Sequence, residues 1–285
     1  MESFDSKVLS SCHINFLFGA GVNGSSFPQL NGFSKTLAFL NKNLGEKNEF
    51  SFEEKINMLP QNLKNDAKNI FVDEFKEKAS LIDFNNQSIV NLKYLISSIY
   101  KIVDKSENRI TAMKQVNIFT VNYDFIVEEA IQKLGFLCNY VSASNLESND
   151  RFFNIVGYDL ALKKNIPTFL VSKIHGDINN PILPGNDKYD SVLEANKFEI
   201  VFKMKEKLMR FNSVLIVIGY SGNDEHLNRI LKDCVDSGLV VFWFKFKQSD
   251  LVPEDIKEKI EIIENKDGFD TTLLCANMLD KVWEE

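Results

Sequence analysis

The strongest constraint on the fold is a set of short, almost continuously apolar runs. Val214–Ile218 reads VLIVI and Leu239–Phe244 reads LVVFWF. A strand with one wet face alternates apolar and polar residues. Runs like these suit strands covered on both faces, as in a parallel sheet packed between helices. Four more β-rich runs stand out beside them: Ile14–Phe18, Val116–Val121, Phe136–Val141 and Phe169–Ile174. Between the runs, apolar residues recur at helical spacing. Phe33, Leu37, Leu40 and Leu44 form one such stripe, and Val127, Ala130, Ile131 and Leu134 a second. Val201, Met204, Leu208 and Phe211 form a third, and Leu227, Ile230, Leu231, Cys234 and Val235 a fourth. Strands alternating with amphipathic helices predict an α/β fold, a Rossmann-like, doubly wound and mostly parallel sheet.

One stretch interrupts the alternation. Residues 46–112 carry no strand signal, yet Leu63, Ala67, Ile70, Phe71 and Phe75 make one helical stripe and Ile89, Leu92, Ile96, Ile99 and Val103 another. The expected organisation is an α/β domain formed by 1–45 and 113–285, with 46–112 as an inserted helical subdomain. The less regular segment from about 143 to 166 reads as a long loop, a candidate lid. The C-terminal stretch reads as a final helix packing Leu274, Met278 and Val282.

Composition narrows the partners. Net charge is −7, and the densest basic stretches, Lys203 to Lys207 and Lys245 to Lys247, are short and mixed with apolar residues. Nucleic acid is therefore not expected as a direct ligand. No apolar stretch approaches the roughly 20 residues of a membrane helix. The N-terminal segment has no basic stretch ahead of an apolar one, so no secretory signal is read. The four cysteines, Cys12, Cys138, Cys234 and Cys275, form no CxxC pair. No zinc site is expected, and scattered thiols suit a reducing cytoplasm.

Four motifs fall at strand ends. Gly19-Ala20-Gly21-Val22-Asn23-Gly24 follows the first apolar run and precedes a helix, with G-x-G-x-x-G spacing. It is either a glycine-rich turn without a ligand or a loop whose backbone approaches a pyrophosphate. A Rossmann dehydrogenase would also need an acidic residue after a second strand, about 20 positions on. Glu46 and Glu49 are present but no strand precedes them, which disfavours that class. Thr120-Val121-Asn122-Tyr123-Asp124 ends the next run. Asn122 and Asp124 either cap the following helix or reach the crevice at the carboxyl ends of the strands. Lys173-Ile174-His175-Gly176-Asp177 places one of only three histidines at a strand end, either as a structural residue or as a base near neutral pH. In Gly219-Tyr220-Ser221-Gly222-Asn223-Asp224, one of Ser221, Asn223 or Asp224 caps a helix, or Gly219 and Ser221 touch a dinucleotide.

In this order, the pieces GAGVNGSSFP, FTVNYD, SKIHGD and VIGYSGNDEHLNRIL resemble the sirtuin superfamily, most closely the divergent sirtuin-like domains of bacterial antiphage defence proteins. The resemblance spans nearly the whole chain and implies a sirtuin-type NAD-binding domain. It implies that Gly19, Ala20 and Gly21 hold NAD phosphates, with Asn23 where the family often has serine. Phe27 and Thr120 are counted with the dinucleotide contacts. It further implies that Asn122 contacts the nicotinamide ribose with Asp124 beside it, that His175 is the catalytic histidine, and that Gly219 and Ser221 meet the adenosine half. Familiar protein deacylases of the family carry a four-cysteine zinc module, which this sequence lacks. The implied activity is an NAD glycohydrolase releasing nicotinamide and ADP-ribose, with NAD as substrate rather than resident cofactor, acting as a regulated defence effector. Because no sensor segment is evident, a homo-oligomer, an activating partner protein or a nucleotide ligand is expected to switch it on. A non-catalytic NAD or ADP-ribose sensor is the alternative, and a protein deacylase stands behind it.

Overall fold

The computed structural model describes residues 6–45, 52–105, 114–142, 157–159, 164–166, 168–179, 195–247, 251–265 and 270–282, together with residues 4, 50 and 181. Glu46 and Glu49, most of the 143–166 loop and the 182–194 segment lie outside these residues.

A seven-stranded sheet organises the chain, in the order β3-β6-β2-β1-β7-β8-β9. Its strands are β1 His13–Phe18, β2 Val116–Thr120, β3 Cys138–Val141, β6 Phe169–Lys173, β7 Ser213–Ile218, β8 Val240–Lys245 and β9 Glu261–Glu264. Every pairing within it is parallel. All residues of β2 and β7 are buried, as the unbroken apolar runs require. Two short strands, β4 Gly157–Asp159 and β5 Lys164–Ile166, form a separate antiparallel pair. The sequence reading missed these two and β9. The first strand also begins one residue before the apolar run Ile14–Phe18, at His13.

Side chains alternate across the sheet. Phe16, Phe18, Ile118, Ile216 and Phe244 face one apolar cluster, and Leu17, Phe119, Leu215, Val217 and Trp243 face the other. The first face is covered by α1 Ser6–Ser11, α2 Ser34–Leu44, α3 Phe52–Met58, α4 Gln61–Ala79, α5 Gln87–Lys105, α6 Ile126–Lys133 and α10 Thr271–Lys281. The second is covered by α7 Ala195–Leu208, α8 Glu225–Asp236 and α9 Glu254–Lys257. Residues 46–112 supply α3, α4 and α5, with no strand among their described residues. Ile89, Leu92, Ile96 and Ile99 of α5 enter the same cluster as Phe16 and Ile118, so these helices share the core of the sheet. No helix among the described residues is long and apolar enough to cross a membrane.

One long-range cap fixes the approach of two helices. The N-terminus of α2 has no cap from its own side chains. Glu74 of α4, 2% exposed, fills that role. It accepts from Thr36 N and Thr36 Oγ1, both at 2.9 Å, and from Lys35 N at 3.1 Å. Burial alone would push the Glu74 carboxyl up, but these donors and Lys78 outweigh it and hold it below the ordinary glutamate range. Its stabilisation is therefore present above the unfolded-state pKa and lost as pH falls through the lower folded value. Glu74→Ala should cost about 1.5–3 kcal/mol in urea denaturation near pH 7. The gap to the wild type should close as pH drops below roughly 4.3.

Candidate active site

β6, β2, β1 and β7 are consecutive neighbours, so their carboxyl ends lie side by side, each followed by a turn that carries one motif. In an open α/β sheet this edge forms the ligand crevice.

The first and last of the four turns interlock. Gly19 N donates to Ile218 O and Gly21 N to Gly219 O, both at 3.0 Å. A Cβ on Gly19 would lie 2.5 Å from Tyr220 Cα, and one on Gly21 would lie 2.7 Å from Gly219 Cα. Gly219 itself sits at φ +67, where side chains are strained. Glycine is thus required here for two backbones to touch. The amides of Gly19, Gly21 and Val22 already have protein acceptors. Exposed Ala20 and half-buried Gly21 are what the loop presents outward.

The Asn-x-Asp turn is tied to the same loop. Asn122 Nδ2 donates to Gly19 O at 3.2 Å, and Asn122 N donates to Thr120 Oγ1 at 3.1 Å. Asp124 does two jobs. Its Oδ1 accepts from Ile126 N at 3.0 Å at the start of α6, and its Oδ2 accepts from Asn23 Nδ2 at 2.7 Å. Asn23 is 3% exposed, and its Oδ1 has no hydrogen-bond partner among the described residues. Such a buried acceptor needs a donor beyond the described residues.

His175 follows β6 and is 9% exposed. Its Nε2 lies 2.9 Å from Asp224 Oδ2. Asp224 Oδ1 accepts from His226 N and Leu227 N, both at 3.1 Å, so Asp224 is the cap of α8. The histidine therefore joins the glycine loop through the turn that packs on it.

Beneath these turns lies a residue to which the sequence reading gave no role. Lys173 is fully buried at the end of β6. Its ammonium lies 2.9 Å from Glu128 Oε1, donates to Asp124 O, and reaches Asn122 O at 3.4 Å. The Phe125 ring lies 4.8 Å away. Burial pushes the Glu128 carboxyl up, against the pull of the lysine charge. The signal was strand parity: Phe169, Val171 and Lys173 share the buried face of β6. A cation at such a position needs partners nearby.

The other expected contacts differ in exposure. Thr120 is fully buried, and its hydroxyl accepts from Asn122 N. Phe27 packs in an aromatic cluster, its ring centroid 4.7 Å from Phe75 and 6.2 Å from Phe33. Ser221 is exposed on its turn. Cys138, whose thiol is pushed up to about 12 mainly by burial, is no nucleophile at neutral pH. Among the described residues, no cluster of His, Cys, Asp and Glu could hold a metal ion.

A family profile described as the SIR2-like domain matches residues 116–263. No curated protein matches the chain in sequence. Among solved structures, the chain is similar to a substituted Sir2 homologue in complex with ADP-ribose. The TM-score is 0.52 and the identity 13%, with 100% of this chain and 98% of that chain covered. It is likewise similar to a Sir2 homologue–NAD complex, with TM-score 0.51, 13% identity, and 98% and 93% of the two chains covered. At such identities the likeness speaks for the fold.

Proposed function

This chain belongs to the SIR2-like domain family, and from that premise we propose that it binds NAD at the carboxyl ends of β1, β2, β6 and β7 and hydrolyses the nicotinamide–ribose bond. The observation that carries the reading is the convergence of four distant segments: Asn122 bonded to Gly19, Asp124 bonded to Asn23, and His175 bonded to the turn packed on both glycines.

In this proposal the Ala20–Gly21 backbone faces the pyrophosphate, and Gly219 with Ser221 meets the adenosine half. The free Oδ1 of Asn23 accepts from a ligand hydroxyl. Asn122 binds a ribose hydroxyl and orients a water, with Asp124 holding its loop. The C1′–N bond breaks and its electron pair leaves with nicotinamide, which departs neutral. The water oxygen bonds to C1′, and its proton passes to His175. Binding energy far from the reacting carbon organises the site. The lack of any CxxC pair in the sequence favours water over an acyl-lysine as acceptor. The cellular role is that of a regulated antiphage effector, silent until self-assembly, a partner protein or a nucleotide ligand activates it.

The test is NAD loss by purified protein, alone at increasing concentration and with candidate nucleotides. Where the wild type turns over, His175→Ala and Asn122→Ala should each lose roughly 10²- to 10⁴-fold while melting as folded proteins. Undiminished turnover in both variants removes the assignment. Tight NAD binding without turnover under every condition makes the site a sensor. Full activity of the dilute, unsupplemented protein contradicts the proposed switch.

A further inference from the structure

We propose that Asp224 is a positioning residue for His175, aiming the imidazole and fixing its ring proton on Nε2. This rests on the reading of the crevice given above. It is carried by the 2.9 Å contact between His175 Nε2 and Asp224 Oδ2. The other oxygen of the same carboxylate accepts from two backbone amides at the start of α8. That arrangement holds the group where negative charge is favoured and leaves it only acceptor capacity. The shared proton then resides on Nε2, and the neutral imidazole keeps its lone pair on Nδ1. Swinging Asp224 away would uncap a twelve-residue helix, which favours the observed position. Both side chains are mostly buried, that of Asp224 9% exposed and that of His175 11%. The carboxylate thus sets the tautomer, aims the ring, and stabilises the imidazolium formed when the base takes a proton.

Cap and positioning role are separable, since serine caps helices well but is too short to reach the imidazole. Asp224→Ser should keep the helix capped and unfold cooperatively as the wild type does. Its kcat should fall at least about 10-fold, by no more than the roughly 10²–10⁴ contributed by the base itself, with KM little changed. Asp224→Glu should recover part of the loss. Side-chain ¹⁵N NMR of His175 supplies a readout independent of turnover. The wild type should show one fixed tautomer with the proton on Nε2, and Asp224→Ser should show an exchanging mixture. Unchanged imidazole signals in the serine variant overturn the proposal. So does a rise in turnover, which would mean that the carboxylate restrains a base acting through Nε2. If the wild type consumes no NAD, the reading of the reaction fails, while the NMR comparison still decides the role of Asp224.

Discussion

Lys173→Met should destabilise the protein by about 3–5 kcal/mol, the usual consequence of removing one partner of a buried ion pair. The side chain is fully buried and Glu128 is 4% exposed, so water screens neither charge. Methionine fills a similar volume but leaves a carboxylate and the carbonyls of Asn122 and Asp124 without their cation. The carboxyl can answer only by taking up a proton, which burial already favours. A group whose folded pKa is raised stabilises below its unfolded value and loses that contribution as pH rises through the folded value. The variant should therefore be weakest at neutral pH and regain stability on acidification. Lys173→Met combined with Glu128→Leu should recover most of the loss, because it removes both charges together. Urea midpoints at constant slope measure all three proteins. A single variant as stable as the wild type would show that the pair does not hold the Asn122 turn.

Gly219→Ala should disrupt the site even more directly. A Cβ there would lie 2.6 Å from Gly21 C and closer still to Val22 N, so backbone meets backbone with no flexible side chain to yield. The positive φ alone costs roughly 1–2 kcal/mol for a residue with a Cβ. Forcing the turns apart adds a comparable amount, and moves Gly19 away from Asn122. The expected result is a loss of about 3 kcal/mol or more, together with loss of NAD binding by calorimetry. Gly135→Ala is the matched control. Its φ is +76, and a Cβ there meets nothing within 4 Å. It should show the backbone strain without the clash and leave NAD binding intact. Equal losses in the two variants would show that the interlock contributes nothing.

Much of this architecture was legible because burial on both faces leaves a plain trace. The runs around Val116, Val214 and Val240 became β2, β7 and β8. β9 escaped notice because Glu261 and Glu264 flank only two isoleucines, and an edge strand buries one side alone. The helices of 52–105 were readable from their stripes. That α5 would lie on α10 was not, since neither stripe names its partner. The same division holds in the crevice. Asn122, Asp124 and His175 stood out by residue type and place at strand ends. The bonds Asn23 to Asp124 and His175 to Asp224 join residues far apart in the chain, and no local pattern encodes them. Asp224 read as one of three possible caps, and it proved to be the cap and the partner of His175 at once.

The place of β1 in the middle of the sheet has a consequence for synthesis. Its two neighbours begin at Val116 and Ser213, so HINFLF leaves the ribosome long before anything exists to pair with it. At about 5–20 residues per second, the wait for β7 is roughly 10–40 s. During that interval a sticky hexapeptide must be shielded by early helices or by chaperones. Newly made chains should therefore be more prone to aggregate than the finished protein, and expression should improve when translation is fast or holdases are abundant.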